Sequence, residues 1–235
     1  MVLWMPLKER DFVLVEYTVR VKDTGEVIET TSEEVAKSSG IYREGDVYGP
    51  KLMIIGEGRY VRGFEEAVAS SEVGEEKTVE VEPSKAYGDR DPNKVKILSL
   101  RELAKLNIVP EPGKAIEIGG AVGIVKSISG GRVVVDFNHP LSGKTLVFTY
   151  KIVKRLEDPV EKIKYLMLRR SRRLSAEKLV VRISQDMLKI EIETPEEVIL
   201  AEDLQIFKRT VAEEIFRYFP EVKQVVFIDS FFRPQ

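Results

Sequence analysis

The stretch Ile55-Gly56-Glu57-Gly58-Arg59-Tyr60-Val61-Arg62-Gly63-Phe64-Glu65-Glu66 decides the fold of this chain. The apolar residues Leu52 to Ile55 that lead into it read as a short buried strand. Gly56 and Gly58 punctuate a turn, and a short helix with an aromatic residue, Phe64, near its start follows. Further along, Ala86-Tyr87-Gly88 sets a tyrosine on a tight turn.

Working outward, Phe12 to Val21 is a β-branched and aromatic run that predicts a long strand. Asp23-Thr24-Gly25 supplies a turn, and Glu26 to Thr31 returns as a second strand. Residues 32–49 are polar and read as a loop. Thr78-Val79-Glu80-Val81-Glu82 alternates strictly, which predicts a half-buried strand stopped by Pro83.

From Val95 the character changes. Ser99-Leu100-Arg101-Glu102 is a capping box and predicts a helix start. Beyond the break at Pro110 to Gly113, three strand-like runs follow: Ile116 to Ile118, Val122 to Val125 and Arg132 to Asp136. Thr145 to Val153 resumes a long strand. In the last third, Asp158, Pro159 and Glu161 form a cap-proline-acid helix start. Leu179 to Ile183 and Leu188 to Glu193 read as a hairpin. Thr194-Pro195-Glu196-Glu197 repeats the helix-start signature, and Leu200, Leu204, Phe207, Val211, Ile215 and Tyr218 follow at helical spacing up to Pro220. Val225 to Ile228 predicts a last strand, giving an α-β-β-α-β order.

Composition limits the chemistry. The 235 residues include no cysteine and one histidine, His139, so disulfides, thiolate catalysis and a multi-histidine metal site are excluded. A net charge of -2 gives no field for nucleic acid or anionic lipid. Val2 to Met5 is too short an apolar run for a signal peptide, and no window approaches the ~18 apolar residues of a membrane span. The expectation is a cytoplasmic protein without membrane contact or cofactor. Its charged fraction of 32% hints at a thermophile.

The Gly-punctuated turn, the aromatic-opened helix and the tyrosine turn, in that order, resemble the FKBP-type peptidyl-prolyl cis-trans isomerases. The insertion after the tyrosine turn, with the return segment Asp136-Phe137-Asn138-His139-Pro140-Leu141-Ser142-Gly143, resembles the insert-in-flap domain of SlyD-type members. With a further C-terminal domain the whole is most similar to the long-chain archaeal FKBPs. The resemblance implies an α+β protein in three parts. An FKBP half-barrel of antiparallel strands around a short helix covers residues 1–93 and 138–156. A small β-rich chaperone insert covers 94–137, and a C-terminal α+β domain covers 157–235.

Residue by residue, the resemblance implies a proline pocket. It is bordered by Tyr17 on the first strand and by the pair Ile28 and Glu29 on the second. Tyr60 and Val61 precede the Arg-Gly step, and Val61 would offer a backbone N–H to the substrate carbonyl. Phe64 forms the floor, Tyr87 the hydroxyl-bearing wall, and Phe148 lies on the last strand. There are departures. Glu29 stands where the family usually has Asp, Phe64 replaces the tryptophan of drug-binding members, and Lys51 stands where an apolar residue is common. In the insert, Ile97, Leu98, Leu103, Leu106, Ile108 and Val109 are candidates for an apolar groove. They are equally candidates for the core of so small a unit.

The implied partners are unfolded or nascent polypeptides. A rival reading is a binding-only holdase in which the Glu29 and Lys51 departures have degraded the pocket. The run Arg169-Arg170-Ser171-Arg172-Arg173 reads as a solvated helix end that complements the dipole. Residues 158–235 hold fourteen basic and fourteen acidic side chains, which argues against nucleic-acid or ribosome contact. Val225 to Ile228, with Phe231 and Phe232, offers an edge for a homodimer through the C-terminal domain. His139 reads as a loop histidine with one hydrogen bond.

Overall fold

The first strand, β1 (Phe12–Val21), is buried on both faces in its first half and on one face in its second. That pattern organises the larger part of the molecule. The computed structural model describes residues 7–171 and 173–231; Val2 to Met5, Arg172 and Phe232 lie outside the described residues. The chain divides into two compact units, residues 1–79 with 147–235, and residues 80–146.

After β1 come β2 (Val27–Thr30), α1 (Glu33–Ser38), β3 (Lys51–Ile54), α2 (Arg62–Ala69) and β4 (Glu76–Val81). Next are β5 (Val95–Ser99), α3 (Leu100–Lys105), β6 (Ala115–Ile118), β7 (Ala121–Ser129) and β8 (Arg132–Asp136). The chain closes with β9 (Leu146–Leu156), α4 (Pro159–Leu168), β10 (Val181–Ile183), β11 (Lys189–Glu193), α5 (Leu204–Tyr218) and β12 (Gln224–Ile228).

In the first unit five strands form one sheet in the order β2-β1-β9-β4, with β3 also paired to β1. The antiparallel partner of Phe12 to Val15 is β3, and that of Thr18 to Arg20 is β2. Alternation along β1 sends Val13, Val15, Tyr17, Val19 and Val21 to one face, where Phe64 of α2 meets them through the Tyr17 ring. The other face carries Phe12 and Leu14, then the more exposed Glu16, Thr18 and Arg20.

Phe12 and Leu14, with Leu52, Ile54 and Leu156, share one core with Ile163, Leu166 and Met167 of α4, Ile190 and Ile192 of β11, and Val211 and Ile215 of α5. Here β11 lies between antiparallel β10 and parallel β12, and α5 makes the crossover that a parallel pair needs. The Phe12 ring meets Tyr218 edge-on at 5.3 Å. Asp158 caps α4 as its sequence predicts, accepting from the Val160 and Glu161 N–H groups.

Two expectations are corrected. Residues 32–49 are not all loop, because α1 runs over Glu33–Ser38. Ser32 caps it and Lys37 pairs with Glu33, but only Ala36 is buried, so no apolar period betrays it. The last long helix begins at Leu204 after Asp203, not at Thr194. The Thr194 N–H is spent on the Ile228 carbonyl at the end of β12, and residues 195–203 run in tight turns with Leu200 exposed.

In the second unit the strand order is β5-β8-β7-β6 around Leu103, Ile116, Val125, Val133 and Val135. The capping box at Ser99 and Glu102 starts α3 as predicted. The sequence reading lacks β5, whose side chains are partly or fully exposed and show no alternation. A side chain at Gly123 would fall 2.6 Å from Val135 and 2.8 Å from Phe137, so only glycine permits this approach.

Candidate active site

Phe64 is the centre of the site. It is fully buried, and three further rings pack directly on it from the sheet. Phe148 stacks on it at 4.3 Å and 16°, while Tyr17 at 5.4 Å and Tyr150 at 5.3 Å meet it edge-on. Tyr60 closes the group, 5.9 Å from Phe64 and 6.0 Å from Tyr17. Offset and edge-on pairs of this kind are each worth about 0.5–1.5 kcal/mol beyond area burial. Strand period places Tyr17 on the inner face of β1 and Phe148 on that of β9, and the helix start places Phe64 opposite them.

The hydroxyls of the cluster are satisfied at its rim. Tyr17 donates to Glu29 Oε1 at 2.5 Å, and Tyr60 donates to the Leu52 carbonyl at 3.2 Å. Ser71 gives its only proton to the Ala67 carbonyl, so the contact of 2.8 Å between Ser71 and the Tyr150 hydroxyl has the phenol as donor. Burial, and then the Glu29 charge, holds the Tyr17 phenol far above the ordinary tyrosine range. The same causes, in the same order, push Tyr60 up to about 12. The rings inside this rim are almost fully buried.

The loop that carries Tyr60 and Val61 is pinned from within. Gly58 has φ 73°, which favours glycine, and its N–H donates to both oxygens of Glu65 at 3.3 and 3.2 Å. Val61 is extended, with φ -60° and ψ 138°, and is the N-cap of α2. Its carbonyl accepts from Phe64 and Glu65, and its N–H has no hydrogen-bond partner among the described residues. Ile28 is the extra residue of a bulge, since Glu29 pairs with Val19 while Val27 pairs with Arg20.

Tyr87 belongs to the second unit. Its ring stacks on His139 at 4.2 Å and 2°, and its carbonyl accepts from Ser142. His139 accepts the Leu141 N–H through Nδ1, the one hydrogen bond expected of it. The return segment is locked by Asn138, which accepts from the Asp91 N–H at 2.9 Å and donates to the Asp91 carbonyl at 2.9 Å and to Asp136 at 2.8 Å. Burial raises the Asp136 carboxyl, but bonds from Asn138 and the charge of Arg90 outweigh it, so its pKa is lowered.

The groove candidates divide. Ile97, Leu106 and Val109 are exposed, Val109 at 83%. Leu98 and Ile108 are half-buried against the core of the insert. Leu103 is 1% exposed and is itself that core, so it lines no surface, a correction to its place in the groove.

The sequence reading missed Tyr150, although it stands two residues beyond Phe148 on one strand and therefore on the same face. It also missed Arg169. The expected solvated helix end is wrong there, because Arg169 is half-buried, with its side chain 9% exposed, and forks onto Glu57 with contacts of 2.8 and 3.0 Å. Among the described residues no group of three or more His, Cys, Asp or Glu side chains could hold a metal ion. No helix among them is long and apolar enough to cross a membrane. An open recess of about 560 Å³ is lined by Glu16, Thr18, Glu33, Tyr48, Thr149 and Lys151. Backbone or side-chain atoms of Tyr17 and Tyr150 also line it, and its lining mixes polar and apolar surface.

Residues 5–106 match the profile of the FKBP-type peptidyl-prolyl cis-trans isomerase, 96–141 that of the FKBP26 IF domain, and 159–232 that of the FKBP26 C-terminal region. The chain is 40% identical over 146 residues to the short-type peptidyl-prolyl cis-trans isomerase of Methanocaldococcus jannaschii, covering 62% of this chain and 92% of that one. It is 29% identical over 171 residues to the SlyD isomerase of Treponema pallidum, covering 71% and 88%. With the FKBP-type 16 kDa isomerase of Escherichia coli it shares 28% over 147 residues, covering 60% and 89%.

Proposed function

The chain belongs to the FKBP-type peptidyl-prolyl cis-trans isomerases, and from that premise we propose that it isomerises X-Pro bonds in unfolded or nascent polypeptides while its insert holds the client. Residues 1–93 with 138–156 carry the catalysis, and residues 94–137 the capture.

The reaction needs neither acid nor base. Resonance sets a barrier of about 18–20 kcal/mol to rotation about the C–N bond. The twisted transition state has lost that resonance and is less polar than the planar, hydrated ground state. An apolar, preformed site binds it better. The observation that carries this reading is the ring cluster on Phe64 beside the Val61 N–H, which has no hydrogen-bond partner among the described residues. In the reading, Tyr17, Phe148 and Ile28 face the proline ring over the fully buried Phe64 that supports them, Val61 N–H holds the carbonyl before it, and Tyr60 and Glu29 keep the rim in shape. The family pattern assigns Tyr87 a hydroxyl-bearing role, which its own substitution tests.

Capture by the insert is supported by its exposed apolar side chains, Ile97, Leu106 and Val109, joined by Val122. A tethered client meets the catalytic residues at raised effective concentration.

The test is refolding of a protein limited by proline isomerisation, with catalytic amounts of the chain. Acceleration at substoichiometric amounts supports turnover. Suppressed aggregation without acceleration supports the holdase alternative. Replacing residues 94–137 by a short loop is expected to spare turnover of short peptides and to slow turnover of unfolded proteins. Equal loss on both would assign the insert a structural role only.

A further inference from the structure

Glu57, three residues before Tyr60, is held from outside its own sheet. Its Oε2 accepts from one terminal nitrogen of Arg169 at 2.8 Å and its Oε1 from the other at 3.0 Å. The Tyr218 hydroxyl donates to the same Oε1 at 2.8 Å. Arg169, the C-cap of α4, also donates to Glu214 of α5 at 2.7 and 3.4 Å. Arg170 bonds Glu214 as well, and Arg59, back on the loop, lies 3.9 Å from it. The side chains of Glu57, Arg169 and Glu214 are 9%, 9% and 6% exposed.

We propose that Arg169 is a positioning residue for the isomerase reaction, its guanidinium bridging Glu57 and Glu214 so that the C-terminal domain sets the loop bearing Tyr60 and Val61. The proposal rests on the isomerase reading of the preceding subsection.

First, adhesion between α4, α5 and the first sheet does not need this network, because the shared apolar core supplies it. A buried ion pair is weak evidence for stability but can fix one geometry against others. The planar guanidinium forks onto the Glu57 carboxylate through two nitrogens while also reaching Glu214, a geometry that a lysine ammonium does not reproduce. Second, the clamp lies where position matters. Misplacing a reacting group by about 1 Å can cost about a hundredfold in rate. Third, local ties hold Gly58, Tyr60 and the Glu57 N–H, which donates to the Ile54 carbonyl, but the Glu57 carboxylate is held by Arg169 and Tyr218. A relative matched over 92% of its own length aligns with only 62% of this chain, so the clamp need not be common to the family.

The experiment measures kcat/KM on a short X-Pro peptide with the full chain and its variants, together with the amide resonance of Val61. Glu57→Gln and Arg169→Lys are each expected to lower kcat/KM about five- to twentyfold and to shift the Val61 resonance, and Tyr218→Phe to lower it about twofold. The double variant should lose no more than the worse single one. Ile192→Val, a core change away from the network, should lower stability and leave turnover unchanged.

A Glu57→Gln protein with kcat/KM within about twofold of the parent would overturn the proposal. So would additive losses in the double variant, or an equal loss in Ile192→Val at matched stability. Should the two charge variants not fold, Tyr218→Phe decides, and unchanged turnover there overturns it. A parent chain without turnover would instead overturn the isomerase reading.

Discussion

Tyr17 donates its hydroxyl proton to Glu29 Oε1 at 2.5 Å, across the ladder that pairs β1 with β2. Val19 opposite Glu29 fixes the register, so the carboxylate shares the face of Tyr17 and reaches it diagonally. The extra methylene of Glu29, relative to the aspartate usual in the family, does not break the bond.

That bond is charge-assisted, worth about 1 kcal/mol more than a neutral one. Glu29→Gln is therefore expected to lower kcat/KM on an X-Pro peptide about fivefold, with Glu29→Asp less harmful. Equal turnover in Glu29→Gln and the parent would remove the acid from the pocket rim.

Tyr17 and Tyr60 both have raised pKa values in the folded chain. Their contribution to stability is complete below the ordinary tyrosine value of about 10 and is lost as pH rises through the folded values, about 12 for Tyr60. Tyrosinate absorbance against pH should show these two ionising after the exposed tyrosines, Tyr17 only as the fold fails. Tyr17→Phe should flatten the alkaline loss of stability. An unchanged alkaline midpoint in that variant counts against the assignment.

Phe64 has no exposed surface and packs against four rings, those of Tyr17, Tyr60, Phe148 and Tyr150. Phe64→Ala is expected to cost about 3–5 kcal/mol in denaturant unfolding. A cost below about 1 kcal/mol would mean that the cluster collapses around the gap.

On the acid side, Glu57 is lowered. Burial opposes its charge, but bonds from Arg169 and Tyr218 and the charges of Arg169 and Arg59 outweigh burial. Its contribution is present above the usual carboxylate range and is lost as pH falls through the depressed folded value. The acid unfolding midpoint should therefore shift in Glu57→Gln. An identical midpoint in the two proteins would show that Glu57 is not among the groups whose protonation unfolds the chain.

Asn138 serves two backbone groups of Asp91 and the Asp136 carboxylate. Asn138→Ala strands buried polar atoms and should cost about 1–3 kcal/mol, seen as faster amide exchange in residues 88–94 and 136–143. Tyr87 is 39% exposed, so Tyr87→Ala is expected to reduce turnover on short peptides with little change in stability. Unchanged turnover would remove Tyr87 from catalysis.

Most of the local structure was legible. The β1 run, the Gly-punctuated turn, the capping box at Ser99 and the cap at Asp158 all act through neighbours within a few residues, so spacing reveals them. α1 was not legible, because it buries only Ala36. Thr194 carries a helix-start pattern, but a long-range bond to Ile228 takes its N–H and the helix starts ten residues later.

The sequence by itself determined that Phe12 to Val21 is a long strand, that Phe64 follows a glycine turn, and that no multi-histidine metal site or thiol chemistry is available. Only the tertiary structure decided which face of β1 each neighbour covers. It also decided that Tyr150 joins the rings around Phe64, that Leu103 is core while Val109 is surface, and that Arg169 is a clamp on Glu57, 112 residues away. The physical reason is reach. Caps, turns and strand periods are set by bonds between near neighbours, whereas the worth of a charge or a ring depends on what the fold brings within a few ångströms of it.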